Sequence, residues 1–206
     1  MKRGQENRGE KIKQIENEIL NLKKSPLFNY RKDNAYFPVI GEGDYFAKTV
    51  FIGEAPGKNE AKTGRPFCGA SGRILDELLF SIGVDRSSVY ITNIVKDRPP
   101  ENRDPKPEEI DLYAPFLDRQ LEIIKPKIIA TLGRFSMKYV LGRYLPTFEI
   151  KNISQLHGKP LPVKMPYGDA YLLPLYHPAV AVYNANRKKD LLKDMLVTKK
   201  FLKENV

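Results

Sequence analysis

The sequence predicts an α/β protein built on a parallel sheet with helices on both faces, and three features of its 206 residues point there. Short apolar runs recur at 50–52, 89–95, 128–132 and 171–175, each of a length that suits a buried strand. Amphipathic stretches with helical spacing separate them, which is what parallel strands require, because their ends can be joined only by crossovers. Each run also breaks at its carboxyl end into turn-forming or polar residues: Gly53 with Glu54, Asn93, Gly133 with Arg134, and Tyr176-His177-Pro178. In an open parallel sheet those ends are where ligands sit.

In chain order, residues 1–9 carry no apolar pattern and are expected to be a disordered tail, leaving 10–206 as a single domain. Ile12, Ile15, Ile19 and Leu22 then recur at helical spacing over 11–23, and Ser25-Pro26 ends that helix. Residues 27–43 read as an irregular segment mixing Tyr30, Tyr36 and Phe37 with Arg31, Lys32 and Asp33. The strand at 50–52 breaks into the turn of Gly53, Pro56 and Gly57. A nucleotide phosphate loop is excluded there, since that motif puts one more residue between its glycines and follows its lysine with Ser or Thr, whereas Lys58 precedes Asn59. Ile74, Leu75, Leu78 and Leu79 share one face of a helix over 71–82, with Gly83 as its C-cap. A proline-rich loop (Pro99, Pro100, Pro105) follows the second strand, and helices are expected over 108–124 and 133–141. A variable excursion fills 146–168, and a basic helix spans 187–203.

Composition narrows the function. With 41% hydrophobic residues the chain can bury a full core, and 35 Lys and Arg against 25 Asp and Glu leave a charge of +10, which favours a polyanionic partner. Cys68 is the only cysteine, so there is no internal disulfide framework and no cysteine-built metal cluster. The N-terminus lacks an apolar core of the kind signal peptides carry, and no run of about eighteen apolar residues occurs. A soluble, cytoplasmic protein that acts without a membrane, as a monomer, is expected.

The polar residues at the strand ends can be matched to a chemistry. The amide of Asn93 offers a donor beside an acceptor, the pairing that holds a ring presenting a carbonyl next to an N–H, as uracil does. Phe67 supplies a flat face for a base, and His177 a donor for negative charge on the carbonyl of a departing one. Each has a plainer alternative: Asn93 as a turn-former, His177 as a strand cap, Phe67 as core, Glu54 and Glu60 as solvated loop carboxylates. Their joint placement at successive strand ends is what favours a site. No Ser-His-Asp order and no metal-ligand run is present.

The runs GEAPGKNEAKTGRPFCGASGRILDELL, YITNIVKDRPPENRDPKPEEI, IIATLGRFS and LYHPAVAV resemble the family 4 uracil-DNA glycosylases, in order, from about residue 20 to about residue 195. The resemblance implies an α/β/α sandwich around a central four-stranded parallel sheet and cleavage of the N-glycosidic bond of uracil in single- or double-stranded DNA. It puts Gly53, Glu54 and Ala55 in the water-positioning and base-contacting loop, Phe67 at the stacking position, Asn93 as the uracil-reading amide and His177 as the group steadying the leaving base. Glu60 falls where the family has an acid near the base's 5-position, suited to excluding thymine. Ala55 occupies the place of the aspartate base in other uracil glycosylases, which implies a dissociative path with late addition of water. The intercalating loop falls over 180–187, where Val182-Tyr183 replace the family's Leu-Arg. Arg187, Lys188, Lys189 and Arg134 are the expected phosphate contacts.

One departure concerns iron. Family members hold a four-iron, four-sulfur cluster through four cysteines, and the matching positions here are Leu22, Ser25, Asp97 and Tyr113. No cofactor is therefore expected, and hydrogen bonds among Ser25, Asp97 and Tyr113, with packing of Leu22, are expected to pin the 99–105 loop instead. Two other readings remain open on the sequence: a glycosylase of shifted specificity, for instance toward hypoxanthine, and a non-catalytic DNA-binding module.

Overall fold

The computed structural model describes residues 2–205. Helices α1 (Lys2–Leu20) and α2 (Phe28–Asp33) lead into a two-residue strand β1 (Glu42–Gly43) and the central strand β2 (Thr49–Gly53). Helices α3 (Lys58–Thr63) and α4 (Ala70–Ser81) precede β3 (Tyr90–Asn93), and α5 (Pro107–Ile124) crosses to β4 (Ile128–Leu132). Then come α6 (Arg134–Tyr144), α7 (Ile153–Leu156), β5 (Leu161–Met165), β6 (Gly168–Leu175), α8 (Ala179–Tyr183) and α9 (Lys188–Asn205).

Among the described residues the sheet has six strands, in the order β1-β3-β2-β4-β6-β5. The four at its centre, β3, β2, β4 and β6, are mutually parallel, and β1 and β5 are antiparallel edges added to them. The sheet is thus wider than the four strands expected. The central strands are buried on both sides, so successive residues feed opposite cores. Val50, Ile52, Ile129 and Leu172 pack with Ile15 and Ile19 of α1, Leu117 and Leu121 of α5, and Val140 of α6. Phe51, Ile91, Ala130 and Leu173 point the other way, onto Leu75, Leu78 and Leu79 of α4 and Leu191 and Met195 of α9.

Two stretches differ from expectation. The excursion at 146–168 contains α7 and β5, whose alternating burial marks a one-sided edge strand. Residues 2–9, expected to be disordered, begin α1, and Arg8 hydrogen-bonds the carbonyls of Tyr45 (2.8 Å) and Ile124 (3.2 Å); Met1 lies outside the described residues. Polar anchoring replaces the apolar pattern a sequence reader looks for. No described helix is long and apolar enough to cross a membrane.

Candidate active site

Three strand ends meet over one cavity because the sheet register aligns them. Gly53 pairs with Asn93 across β2 and β3, and His177 follows β6 two residues on. Gly53 is glycine for want of room: a Cβ there would stand 2.2 Å from Asn93 Oδ1 and 2.8 Å from Phe67 Cζ. Phe67 itself sits at φ +48°, a strained value for an aromatic residue. Its carbonyl presses on the first turn of α4, where a Cβ at Gly72 would lie 1.7 Å away. The loop is thereby clamped between strand and helix, with the Phe67 ring 5.7 Å from the His177 ring.

The cavity so formed is about 180 Å3, lined by Ala55, Glu60, Phe67, Asn93 and His177, with Gly57 and Ser71 completing it. Cavities of about 150 Å3 admit a benzene ring, so a single pyrimidine is the scale of guest. Gly53→Ala is expected to push Asn93 and Phe67 apart and to cut the rate of any reaction in this cavity by roughly 10²-fold. Single-turnover kinetics would read the loss, and a melting curve would show the fold intact.

Asn93 is 2% exposed, and no group among the described residues hydrogen-bonds its side-chain amide. An amide that well buried is normally satisfied, so its donor and acceptor stand ready for a guest. His177 Nδ1 accepts from the N–H of Ala179 at 3.1 Å, which in the neutral ring puts the proton on Nε2. Burial pushes the imidazole down to about 4, so the ring is neutral at physiological pH. Glu60, in the first turn of α3, accepts from Gly69 N at 3.2 Å and so ties α3 to the loop that carries Phe67. Glu54 stands outside the lining; burial, with Asp104 adding repulsion and Arg134 opposing both, pushes its carboxyl up to about 7.

The cationic and intercalating candidates lie outside the cavity. Arg134 opens α6 and faces Asp104 at 3.7 Å. Val182 and Tyr183 end α8, with Tyr183 88% exposed, a large aromatic left in solvent. Arg187 pairs with Asp190 and Lys188 with Glu77 through exposed side chains, contacts weak enough to be exchanged for phosphate, while Lys189 is exposed. Sequence reading missed Ser71, whose place in the Gly-Ala-Ser-Gly run at the start of α4 was the available signal. It also missed Lys96, fully buried behind Asn93, for which a lysine in a sequence carries no signal at all.

The four positions matching the family's cluster ligands do not suit iron and sulfur. None carries a thiol, and Tyr113 links Ser25 to Asp97 by hydrogen bonds. Tyr113 donates to Asp97 Oδ2 at 2.5 Å, so at the 2.9 Å contact with Ser25 the serine hydroxyl is the donor. Arg31 donates to both Asp97 oxygens (3.0 and 2.9 Å) and to the carbonyls of Ile19 and Leu20 that close α1. Burial pushes the Asp97 carboxyl up, and the Tyr113 hydroxyl and Arg31 draw it back. Leu22 packs against the core beside them. Among the described residues no group of three or more His, Cys, Asp or Glu is placed to hold a metal ion.

The fold is thus an α/β/α sandwich with an amide, an aromatic face and a neutral histidine gathered round one cavity at its strand ends. The family model described as the uracil DNA glycosylase superfamily matches residues 40–199, and the chain belongs to that superfamily. Within it the similarity runs to the type-4 branch. The chain is 44% identical to a type-4 uracil-DNA glycosylase of Sulfurisphaera tokodaii over 89% of this chain and 81% of that one. It is 42% identical to the type-4 enzyme of Saccharolobus solfataricus (91% and 85% covered) and 39% identical to that of Archaeoglobus fulgidus (90% and 90%). The chain is an enzyme of this class in which the four cluster cysteines are missing.

Proposed function

We propose that the chain excises uracil from DNA, single- or double-stranded, and leaves an abasic site, acting as one monomeric cytoplasmic domain, with α1 part of it, that works without an iron–sulfur cluster. The observation that carries this reading is the Asn93 amide, buried in a pyrimidine-sized cavity with no protein partner. Its N–H donates to a uracil carbonyl and its oxygen accepts from the neighbouring N–H. Phe67 stacks on the flipped ring, and Glu60 stands where a 5-methyl group would point.

The N1–C1′ bond breaks first, its electron pair leaving with the base. The Nε2–H of neutral His177 donates to the uracil carbonyl that gathers this charge, a role that needs no proton transfer from the ring. Ala55 offers no base, so water is not deprotonated ahead of bond cleavage. The oxocarbenium sugar is steadied by the DNA phosphates and by the Glu54 carboxylate, and water adds to C1′ as its proton passes to solvent. Flipping the nucleotide costs a few kcal/mol, which Tyr183 offsets by stacking in the vacated space, with Val182 beside it. Arg187, Lys188, Lys189 and Arg134 hold the phosphates.

Glu54 gives this scheme a pH signature. Its carboxylate forms only as pH rises through about 7, so the excision rate should climb through that range and level above it, and Glu54→Gln should flatten the rise. The stability effect has the opposite sign. A carboxyl whose folded pKa is raised binds its proton more tightly when folded, so stability is lost as pH climbs from the ordinary glutamate range to about 7. Above that range Glu54→Gln should therefore melt higher than the wild type, and below it the two should melt alike.

The function itself is tested with matched oligonucleotides carrying uracil, hypoxanthine or thymine, scoring abasic sites. Uracil-selective cleavage is expected. Hypoxanthine cleavage alone would replace the substrate, and tight binding without cleavage would reduce the chain to a DNA-binding module.

A further inference from the structure

Lys96 is buried with no exposed surface, the third residue after β3, and its side chain doubles back beneath the strand. Nζ lies 2.7 Å from the backbone oxygen of Asn93, 2.7 Å from Thr92 Oγ1 and 2.6 Å from Gln120 Oε1. All three partners can only accept. The Thr92 hydroxyl spends its hydrogen on the carbonyl of Ile40 at 2.7 Å. The Gln120 amide spends its N–H groups on Ile40 O (2.9 Å) and Tyr90 OH (3.1 Å), which turns its oxygen to the lysine. Three acceptors at hydrogen-bond distance demand three N–H bonds, and only the ammonium has three. Burial pushes the amine well below the usual lysine range, with no carboxylate opposing the shift, and it is the geometry of the three acceptors that argues for the ammonium against it. A lone buried cation is expensive, and packing alone does not explain its place.

We propose that Lys96 is a positioning residue of the base cavity: its ammonium fixes the Asn93 peptide and sets a buried positive charge behind the base that leaves as an anion. The inference rests on the uracil-excision reading above. It assigns Lys96 two effects that separate experimentally. Fixing Asn93 orients the amide and speeds the departure of every base held by it. The charge, acting in a medium of low dielectric, matters most for the base that carries most negative charge in the transition state.

The test compares uracil with 5-fluorouracil, whose fluorine makes the base a better leaving group, under single-turnover conditions. Lys96→Met removes the charge, and Lys96→Met/Gln120→Leu also removes the acceptor the first change would orphan, which protects the fold. Uracil excision should slow by about tenfold or more, and the fluorouracil-to-uracil rate ratio should rise several-fold above that of the wild type. Equal slowing of both bases, or none, overturns the proposal. Nitrogen-15 NMR of lysine-labelled wild-type protein supplies a reading that needs no variant: Lys96 should appear as an ammonium at neutral pH, and a neutral amine overturns the proposal however the variants behave. A wild type that leaves uracil untouched would instead refute the functional reading, a result distinct from an unchanged rate ratio.

Discussion

Asn93→Ala is expected to lower the single-turnover rate of uracil excision by roughly 10³-fold, the scale seen when a preorganised hydrogen-bond donor at a reacting centre is lost. The loss should fall on chemistry with little cost to the fold, because the amide has no protein partner to be orphaned by its removal. Asn93→Asp sharpens the test. It keeps an acceptor for the ring N–H but sets a charge against the neighbouring carbonyl, so it too should fail, and the melting curve of Asn93→Ala should track the wild type. A rate within a few-fold of wild type would mean that Asn93 does not read the base.

Asp97→Ala is expected to destabilise the protein by about 3–5 kcal/mol, the range for breaking a buried ion pair by removing one partner. Arg31 is 6% exposed and would keep its charge among the carbonyls that end α1 with nothing opposite it. For a chain of this size that corresponds to a fall in melting temperature of roughly 10 °C. Tyr113→Phe removes only the hydroxyl between Ser25 and Asp97 and should cost about 1–3 kcal/mol. A chelator should leave the melting temperature of the wild type where it was. An Asp97→Ala variant that melts with the wild type would show that the oxygen network does not do a cluster's work.

The convergence over the cavity was legible because parallel strands buried on both faces announce themselves as unbroken apolar runs, and their carboxyl ends must lie together. Val50 to Ile52 with the glycines behind them, and Thr92-Asn93, are examples. The edges were not legible. β1 is two residues, Glu42 and Gly43, that owe their strand geometry to pairing with Tyr90 and Ile91. β5 carries Pro162 and buries alternate residues, a pattern too short to stand out in a loop. Buried polar groups were the least legible. Lys96 reads as a surface lysine until the turn folds it back on Thr92 and Asn93 and α5 brings Gln120 over it, 24 residues along the chain. Ser25, Asp97 and Tyr113 could be expected to meet only through the resemblance that aligned them with cluster ligands. Arg31, which supplies the charge of that network, had no such guide.

The most direct test of the account is the rate of abasic-site formation on a uracil-containing duplex by protein stripped with a chelator and assayed for iron. Rapid cleavage by iron-free protein, at the rate of the untreated sample, is the predicted result. Cleavage that disappears with the chelator and returns with iron and sulfide would contradict the claim that Ser25, Tyr113, Asp97 and Arg31 stand in for the cluster, and no cleavage under either condition would contradict the proposed function itself.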